Sequence, residues 1–294
     1  MLFKNAYIFS YPAASSELNL ENLSDNLAQE KFKECTSQQH SSYGFVPPVP
    51  GNESYIRVVN RCVLFCLQTQ EKVLPAKVIK NEVSKEVESI KAREERNVGK
   101  KETAKIKEDV LCRLLPDAFS QYSKVYGYID LENGFLIINA STARKAELVS
   151  SLLRNAMGRL KVFIFITKSN PSRIFSDWVF KDGPPEVIQL DDQIELKDDV
   201  DNSVARIHGQ NIASIRGEAL VHYKAGKKIS KLGIVYDGLS CVLHNDCQLK
   251  SLKFDENLSF SCESGFNACF LIQSRLISGL YSYLIKLFGG LEFK

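Results

Sequence analysis

Two short stretches of the 294-residue chain hold side chains suited to binding a metal ion. The first is Asp191, Asp192, Glu195 and Lys197, an acid-x-Lys triplet beside paired carboxylates. Such a set can hold Mg²⁺ and place a lysine near a phosphodiester, as a metal-dependent nuclease requires. The same acids also fit an ordinary acidic loop, because Asp198, Asp199 and Asp201 follow with Lys197 as the lone base. The second is Cys241, His244 and Cys247, spaced Cys-x2-His-x2-Cys, which offers ligands suited to zinc. A fourth ligand is not evident, so buried thiols beside a turn histidine are the competing reading. His40, His208 and His222 have no obvious Ser or Cys nucleophile partner. A Gly-rich phosphate loop of P-loop or dinucleotide-binding spacing is absent, and so is a G-x-S-x-G elbow. The sequence therefore assigns no catalytic residue, no metal and no cofactor, and an enzyme is not expected.

Charge points elsewhere. The chain holds 38 Lys and Arg against 35 Asp and Glu, a net charge of +3. Between Lys91 and Lys107 seven bases (Lys91, Arg93, Arg96, Lys100, Lys101, Lys105, Lys107) face three acids (Glu94, Glu95, Glu102). That stretch alone is +4 (7 minus 3), so the rest of the chain is about neutral. A solvated arm with the charge excess at its tip suits contact with a phosphate backbone. An exposed helix laced with i,i+4 ion pairs has the same composition. Lys224, Lys227, Lys228 and Lys231 form a second basic cluster. Helix-turn-helix, RNP and C2H2 patterns are missing, which leaves base reading without machinery. What remains is backbone contact, sequence-independent and salt-sensitive.

The elements that must carry these residues follow from periodicity. Pro75 suits a helix start, and Ile79, Val83, Val87 and Ile90 then recur as one apolar stripe. Asn97-Val98-Gly99 breaks it, and Ile106, Val110, Leu111 and Leu114 form a second stripe that Pro116 ends. The pair reads as a long helical hairpin with the basic run at its crossing. Before it, Phe3–Ser10 is a predicted strand, and Leu18, Leu20, Leu23 and Leu27 a helical stripe capped by Ser15 or Ser16. Residues 35–52 are polar and Pro/Gly-punctuated, hence loop, although Tyr43 to Pro48 is apolar enough to pack. Tyr55–Val59 and Arg61–Gln68 are predicted strands. After the arm, Phe119–Asp130 and Phe135–Asn139 form a β-hairpin about Asn133-Gly134. A helix capped by Ser141 or Thr142 follows, then Val162–Ile166, a continuous apolar run expected to be a buried strand.

Pro171–Phe180 reads as a short helix bearing Trp178, the only tryptophan. Val204–His208 is a predicted strand and Ile212–Tyr223 a helix. Lys228–Tyr236, Ser240–His244 and Leu249–Phe254 are three closely spaced strands. An apolar helix from Asn267 to Phe288 stops at Gly289-Gly290. Its Gln273, Arg275 and Lys286 favour a buried or interface helix over a membrane span. The fold class is α+β, antiparallel sheets with packed helices. Four regions are expected: 1–70, the arm 71–118, 119–182 and 183–294. Eight cysteines without a CxxC pair suit small buried hydrophobes in a reducing compartment, and the first sixteen residues read as a strand, so a cytoplasmic location is expected.

Several patches together resemble the RdgC family, the bacterial recombination-associated proteins. They are Phe3-Lys4-Asn5, Gly44 to Pro48, Glu71 to Pro75 with Val78-Ile79-Lys80, and Leu114 to Ser120. Lys145-Ala146-Glu147, Leu152-Leu153-Arg154 and Leu249 to Phe254 continue the series, and the likeness lies in their collinearity from Phe3 to Asp255. The resemblance implies a non-enzymatic protein that binds double-stranded DNA with little sequence preference. It implies a crescent-shaped subunit closing with its twin into a homodimeric ring, associated with the nucleoid and restraining RecA-promoted strand exchange. A two-fold ring needs two self-complementary patches per subunit, and the apolar C-terminal helix is one candidate, ordinary core the other reading. Phe119 and Gln210 are carried over as DNA-proximal. Lys77, Lys80, Arg113, Lys227 and Lys228 join them from charge and motif context, and Lys100 and Lys101 from the arm tip. Gly209 stands where family members can carry lysine before the glutamine. A protein-interaction scaffold acting on recombinase directly is the alternative, with the nuclease behind it.

Overall fold

The computed structural model describes residues 3–11, 20–158, 161–209, 211–255 and 265–292. In chain order these form β1 (Tyr7–Ser10), α1 (Leu20–Gln29), β2 (Ser41–Val46), β3 (Ile56–Val59), β4 (Cys62–Val73), α2 (Ala76–Glu94) and α3 (Lys100–Leu114). Next come β5 (Phe119–Asp130), β6 (Phe135–Ile138), α4 (Ala143–Met157), β7 (Phe163–Ile164), α5 (Pro171–Phe180) and β8 (Ile188–Lys197). The last elements are β9 (Val204–His208), α6 (Ile212–Lys224), β10 (Lys228–Tyr236), β11 (Leu239–His244), β12 (Leu249–Phe254) and α7 (Phe266–Leu287). The fold is α+β with antiparallel pairings, as the pattern of strand pairs and separate helices predicts.

The chain divides into a larger unit (Met1–Gln29, Pro47–Cys66 and Tyr126–Lys294) and a smaller one (Glu30–Val46 and Leu67–Val125). In the larger unit β3 folds back on β4, and β5, β6, β1 and β7 continue that sheet in order. The β3–β4 turn places Asn60 and Arg61 at positive φ (46° and 61°), the backbone that a tight hairpin demands. At the β5–β6 turn, the Asp130 carboxylate accepts from the Glu132 and Asn133 amides, and Gly134 takes φ 70°. A second sheet runs β12-β11-β10-β8-β9. Its inner face supplies Ile194, Leu196, Ile207, Leu232, Ile234 and Leu243 to a core shared with α5, α6 and α7.

α7 fills the space between these sheets. Tyr128 of β5 stacks edge-on against Phe270, and its hydroxyl meets Ser278 at 3.0 Å. Tyr281 packs on Phe135 and donates to the Ala6 carbonyl, while Tyr283 lies against Tyr236 of β10. Ten of its residues are buried, so the candidate self-association patch is intramolecular core. α7 is also long and apolar enough to cross a membrane by length and composition. Gly289 and Gly290, at φ 78° and 99°, end it by donating to the carbonyls of Lys286 and Ile285.

The smaller unit places β2, residues 67–73 of β4 and residues 119–125 of β5 in one sheet, with α2 and α3 lying against each other. Its interior is held by a buried lysine. The Lys72 ammonium donates to the carbonyls of Ser37 (2.9 Å) and Leu115 (2.7 Å), so it closes the end of α3. Gly44 permits the pairing of Phe45 with Lys31, because an added Cβ would lie 2.4 Å from the Phe32 nitrogen.

Four expectations need correction. Residues 35–52 are not all loop, since β2 forms where Phe45 and Gly44 pack. The acidic loop is instead largely β8, whose Ile194 and Leu196 face the core while the intervening acid faces outward. Val162–Ile166 is not a buried strand: β7 has two residues, lies at a sheet edge and leaves Ile164 71% exposed, with only Phe165 turned inward at 6%. An apolar run alone does not distinguish a covered strand from an edge. Cys112 is exposed, not a buried hydrophobe. The Ser15 and Ser16 caps lie outside the described residues, as does Leu18.

Gly127 on β5 faces Phe65 on β4 so closely that an added Cβ would sit 2.4 Å from the ring. Phe65 is fully enclosed and cannot retreat. Gly127→Ala is therefore expected to cost about 1–3 kcal/mol. Urea denaturation measures it, and an unchanged midpoint would contradict the packing described.

Candidate nucleic-acid interface

α2 begins after Pro75 and ends at Glu95, which takes a left-handed conformation (φ 46°). α3 starts from Gly99. The stripe Ile79, Val83, Val87 and Ile90 is only half-buried, and no residue of α2 is fully buried. Ile106 and Val110 of α3 are buried. Arg113 clips the pair together, reaching Glu86 at 2.6 Å and Glu82 at 3.5 Å.

At the bend, arginine and lysine behave differently. Arg96 pairs with Glu102 at 2.6 Å and Glu94 at 2.7 Å, and Arg93 pairs with Glu94 at 2.8 Å. Hydrogen bonds from these guanidiniums hold both carboxyls below the usual carboxylate range. Glu94 and Glu102 are thus spent on arginines. Lys91, Lys100, Lys101, Lys105 and Lys107 are exposed and have no ion-pair partner among the described residues. Lys77 and Lys80, also exposed, stand near the other end of α2, whose 19 residues span about 28 Å. Phe119 opens β5 and is 87% exposed, an apolar ring in solvent.

The remaining sequence-predicted residues belong to the larger unit. Lys227 donates to the Ser203 carbonyl at 3.2 Å and to the Ser203 hydroxyl, and Lys228 pairs with Asp199. Both are committed to the β8–β9 connection. Gln210 lies outside the described residues. Its neighbour Gly209 is packed so tightly that an added Cβ would fall 2.4 Å from the Ile215 side chain.

The outward face of the second sheet assembles a cluster that spacing along the chain conceals. Register places Arg206 of β9, Glu195 of β8, Lys231 of β10 and His244 of β11 side by side. Glu195 Oε2 accepts from Arg206 Nε and Lys231 Nζ, each at 2.8 Å, and Oε1 accepts from the Ser230 hydroxyl at 3.0 Å. A bulge between Ile229 and Lys231 brings Ser230 into reach. Burial alone would raise the Glu195 carboxyl, but the hydrogen bonds from Lys231, Arg206 and Ser230 outweigh it and hold it at about 2. Burial pushes the His244 imidazole down to about 4, so it is neutral near pH 7. Together with His208 and Lys250 these residues line a cleft of about 390 Å³. Alternation of apolar and charged residues in 193–197 was the signal available for this face.

Neither metal arrangement assembles. Both Glu195 oxygens are taken by Lys231, Arg206 and Ser230, so this carboxylate is already committed to two cations and a hydroxyl. Cys241 turns into the core while His244, three residues on, faces the cleft. Burial pushes the Cys241 thiol up, and the Cys247 thiol up to about 12, the opposite of what a ligating thiolate requires. Among the described residues no three His, Cys, Asp or Glu converge as a metal-holding group.

Comparison with known proteins matches residues 1–291 to a family model described as "Putative exonuclease, RdgC". The chain belongs to the RdgC family. The recombination-associated protein RdgC of Psychromonas ingrahamii is 32% identical, covering 99% of both chains. That of Pasteurella multocida is 31% identical over 98% of this chain and 97% of its own. RdgC of Haemophilus influenzae is 31% identical over 99% of this chain and 98% of its own. The alignment with the RdgC model extends past Asp255, where the collinear patches of the sequence stop.

The Glu195 network makes a pH-dependent contribution to stability. Its folded value lies below the ordinary 4.5, so the contribution is complete above that value and is lost as pH falls toward 2. His244, depressed from 6.5, adds a loss as pH falls from about 6.5 to 4. Glu195→Gln is expected to destabilise the protein by about 2 kcal/mol at pH 7, because it unpairs two cations. Denaturant titrations at several pH values should show the difference from the parent shrinking below pH 4.5. A gap independent of pH would contradict the charge-based account.

Proposed function

We propose that this protein binds double-stranded DNA without sequence preference, closes with a second copy into a ring around it, and so restrains RecA-mediated recombination. The observation that carries the DNA reading is the set of unpaired lysines at the α2–α3 bend: Lys91, Lys100, Lys101, Lys105 and Lys107. Five exposed ammonium groups on the last turn of α2 and the first turns of α3 suit phosphates whose positions vary with groove and sequence, and they lack the fixed forks that base edges require. Lys77 and Lys80 extend the same character along α2, and Phe119, at the start of β5 after α3, offers an apolar contact. Arg113 serves the two helices and not the ligand. Lys227 and Lys228 would reach DNA only by releasing Ser203 and Asp199.

The ring and the antagonism of RecA rest on membership of a family whose relatives are named recombination-associated proteins. A closed ring retains duplex without a tight local site, and an occupied duplex obstructs recombinase. The proposed mechanism uses no bond-making step. This reading places the protein on the nucleoid in the cytoplasm.

The test is fluorescence anisotropy on two duplexes of unrelated sequence across a salt series. Equal affinities that fall steeply with salt are expected. Lys100→Glu with Lys101→Glu should weaken both duplexes at least tenfold and lower the salt slope by about 2. Unchanged affinity in that variant would move the function to a scaffold contacting recombinase directly. Loss of duplex that depends on Mg²⁺ and disappears in Glu195→Gln would restore the nuclease.

A further inference from the structure

The cleft on the outward face of the second sheet has no part in the reading above, and its chemistry is specific. Three cations, Arg206, Lys231 and Lys250, line it with one carboxylate, Glu195. That leaves +2 (3 minus 1) before Asp246, which acts on Lys250 and His244 from the β11–β12 turn, is counted. Glu195 is not a competing ligand, because both its oxygens are occupied. It instead fixes two cationic heads at 2.8 Å from a single oxygen. Arg206 spends only Nε on that contact, so both terminal nitrogens lack a partner among the described residues, and its side chain is 68% exposed. An unspent guanidinium edge held beside an ammonium is a fork for a phosphate. Lys250, whose ammonium donates to the Ser141 carbonyl, has a depressed proton affinity owing first to burial, which Asp246 opposes and to which Lys231's charge adds least.

We propose that this cleft is a phosphate-binding subsite for the phosphodiester backbone of a nucleic acid. Arg206 and Lys231 are its fork, and Lys250 and the neutral His244 its far wall. The inference rests on the DNA-binding reading and adds to it a contact remote from the α2–α3 bend in the chain. Extent favours a polymer over a free phosphate. The row from Arg206 to His244 crosses four strands, about 14 Å. A duplex presents one charge per about 1.7 Å of axis, so several phosphates face such a row, whereas a lone phosphate engages one end.

The experiment compares the full-length protein with two double variants on one 30-base-pair duplex across a salt series. Arg206→Gln with Lys250→Gln removes two cleft cations and leaves Glu195 with Lys231 and Ser230. Arg216→Gln with Lys224→Gln removes the same charge from exposed positions on α6, which packs on the sheet from its other side. The cleft variant should lose at least tenfold in affinity and about 2 in salt slope, while the α6 variant changes less than threefold. Equal losses in both, or none in the cleft variant while the parent binds, would overturn the subsite and leave the DNA reading standing. A parent that binds no duplex at low salt would overturn the DNA reading and the subsite with it. Titration of the His244 ring resonance with inorganic phosphate separates the sources. Saturation by millimolar phosphate, with no displacement by duplex, would contradict a nucleic-acid ligand. A melting curve matching the parent's verifies that the cleft variant is folded.

Discussion

The larger unit depends on one helix satisfying two sheets at once. α7 presents Phe270, Ser278 and Tyr281 to Tyr128 and Phe135 of one sheet, and Tyr283 to Tyr236 of the other. A helix used on both sides must be apolar over more than one stripe, which is why its sequence resembles a membrane span. The few polar groups it buries have partners: Gln273 accepts from the Phe3 amide, and Tyr281 donates to Ala6. These bonds attach the segment before β1, whose Ala6 also pairs with Leu249 of β12. Both sheets and the N-terminal segment are thereby referred to one element. On the outward face of the second sheet, strand register aligns Arg206, Glu195, Lys231 and His244.

Net charge is a poor guide to which cations are available. The two basic clusters look alike in sequence, yet Lys227 and Lys228 are committed to Ser203 and Asp199. At the α2–α3 bend the arginines take up Glu94 and Glu102, and the lysines have no ion-pair partner among the described residues. The division has a physical basis. A guanidinium holds two carboxylates in a fixed plane, whereas an exposed lysine gains little from a surface pair and keeps its rotamer freedom. The bend is consequently both locally ordered and electrostatically open.

Elements with a strong period were legible. Pro171–Phe180, Val204–His208, Lys228–Tyr236 and Leu249–Phe254 have the bounds their patterns predict, and the Thr142 side chain caps α4 by accepting from Lys145. β2 was not legible, because its pairing partners lie outside 35–52 and its sequence is rich in Ser and Gly. β8 was hidden by its acids, whose neutralising partners Arg206 and Lys231 come from other strands. The cleft was invisible for the same reason: strand register decides which residues are neighbours, and register is not written in spacing. Metal patterns failed in reverse, since Cys241 and His244 are close in sequence and point to opposite faces.

On the proposed function, the lysines of the α2–α3 bend touch the phosphate backbone. The most direct test is lysine acetylation of the protein with and without duplex, read residue by residue by mass spectrometry. Lys100, Lys101 and Lys105 are expected to be protected to the same degree by two duplexes of unrelated sequence, and high salt to abolish the protection. Equal reactivity of those lysines with and without DNA, under conditions where the complex forms, would contradict it.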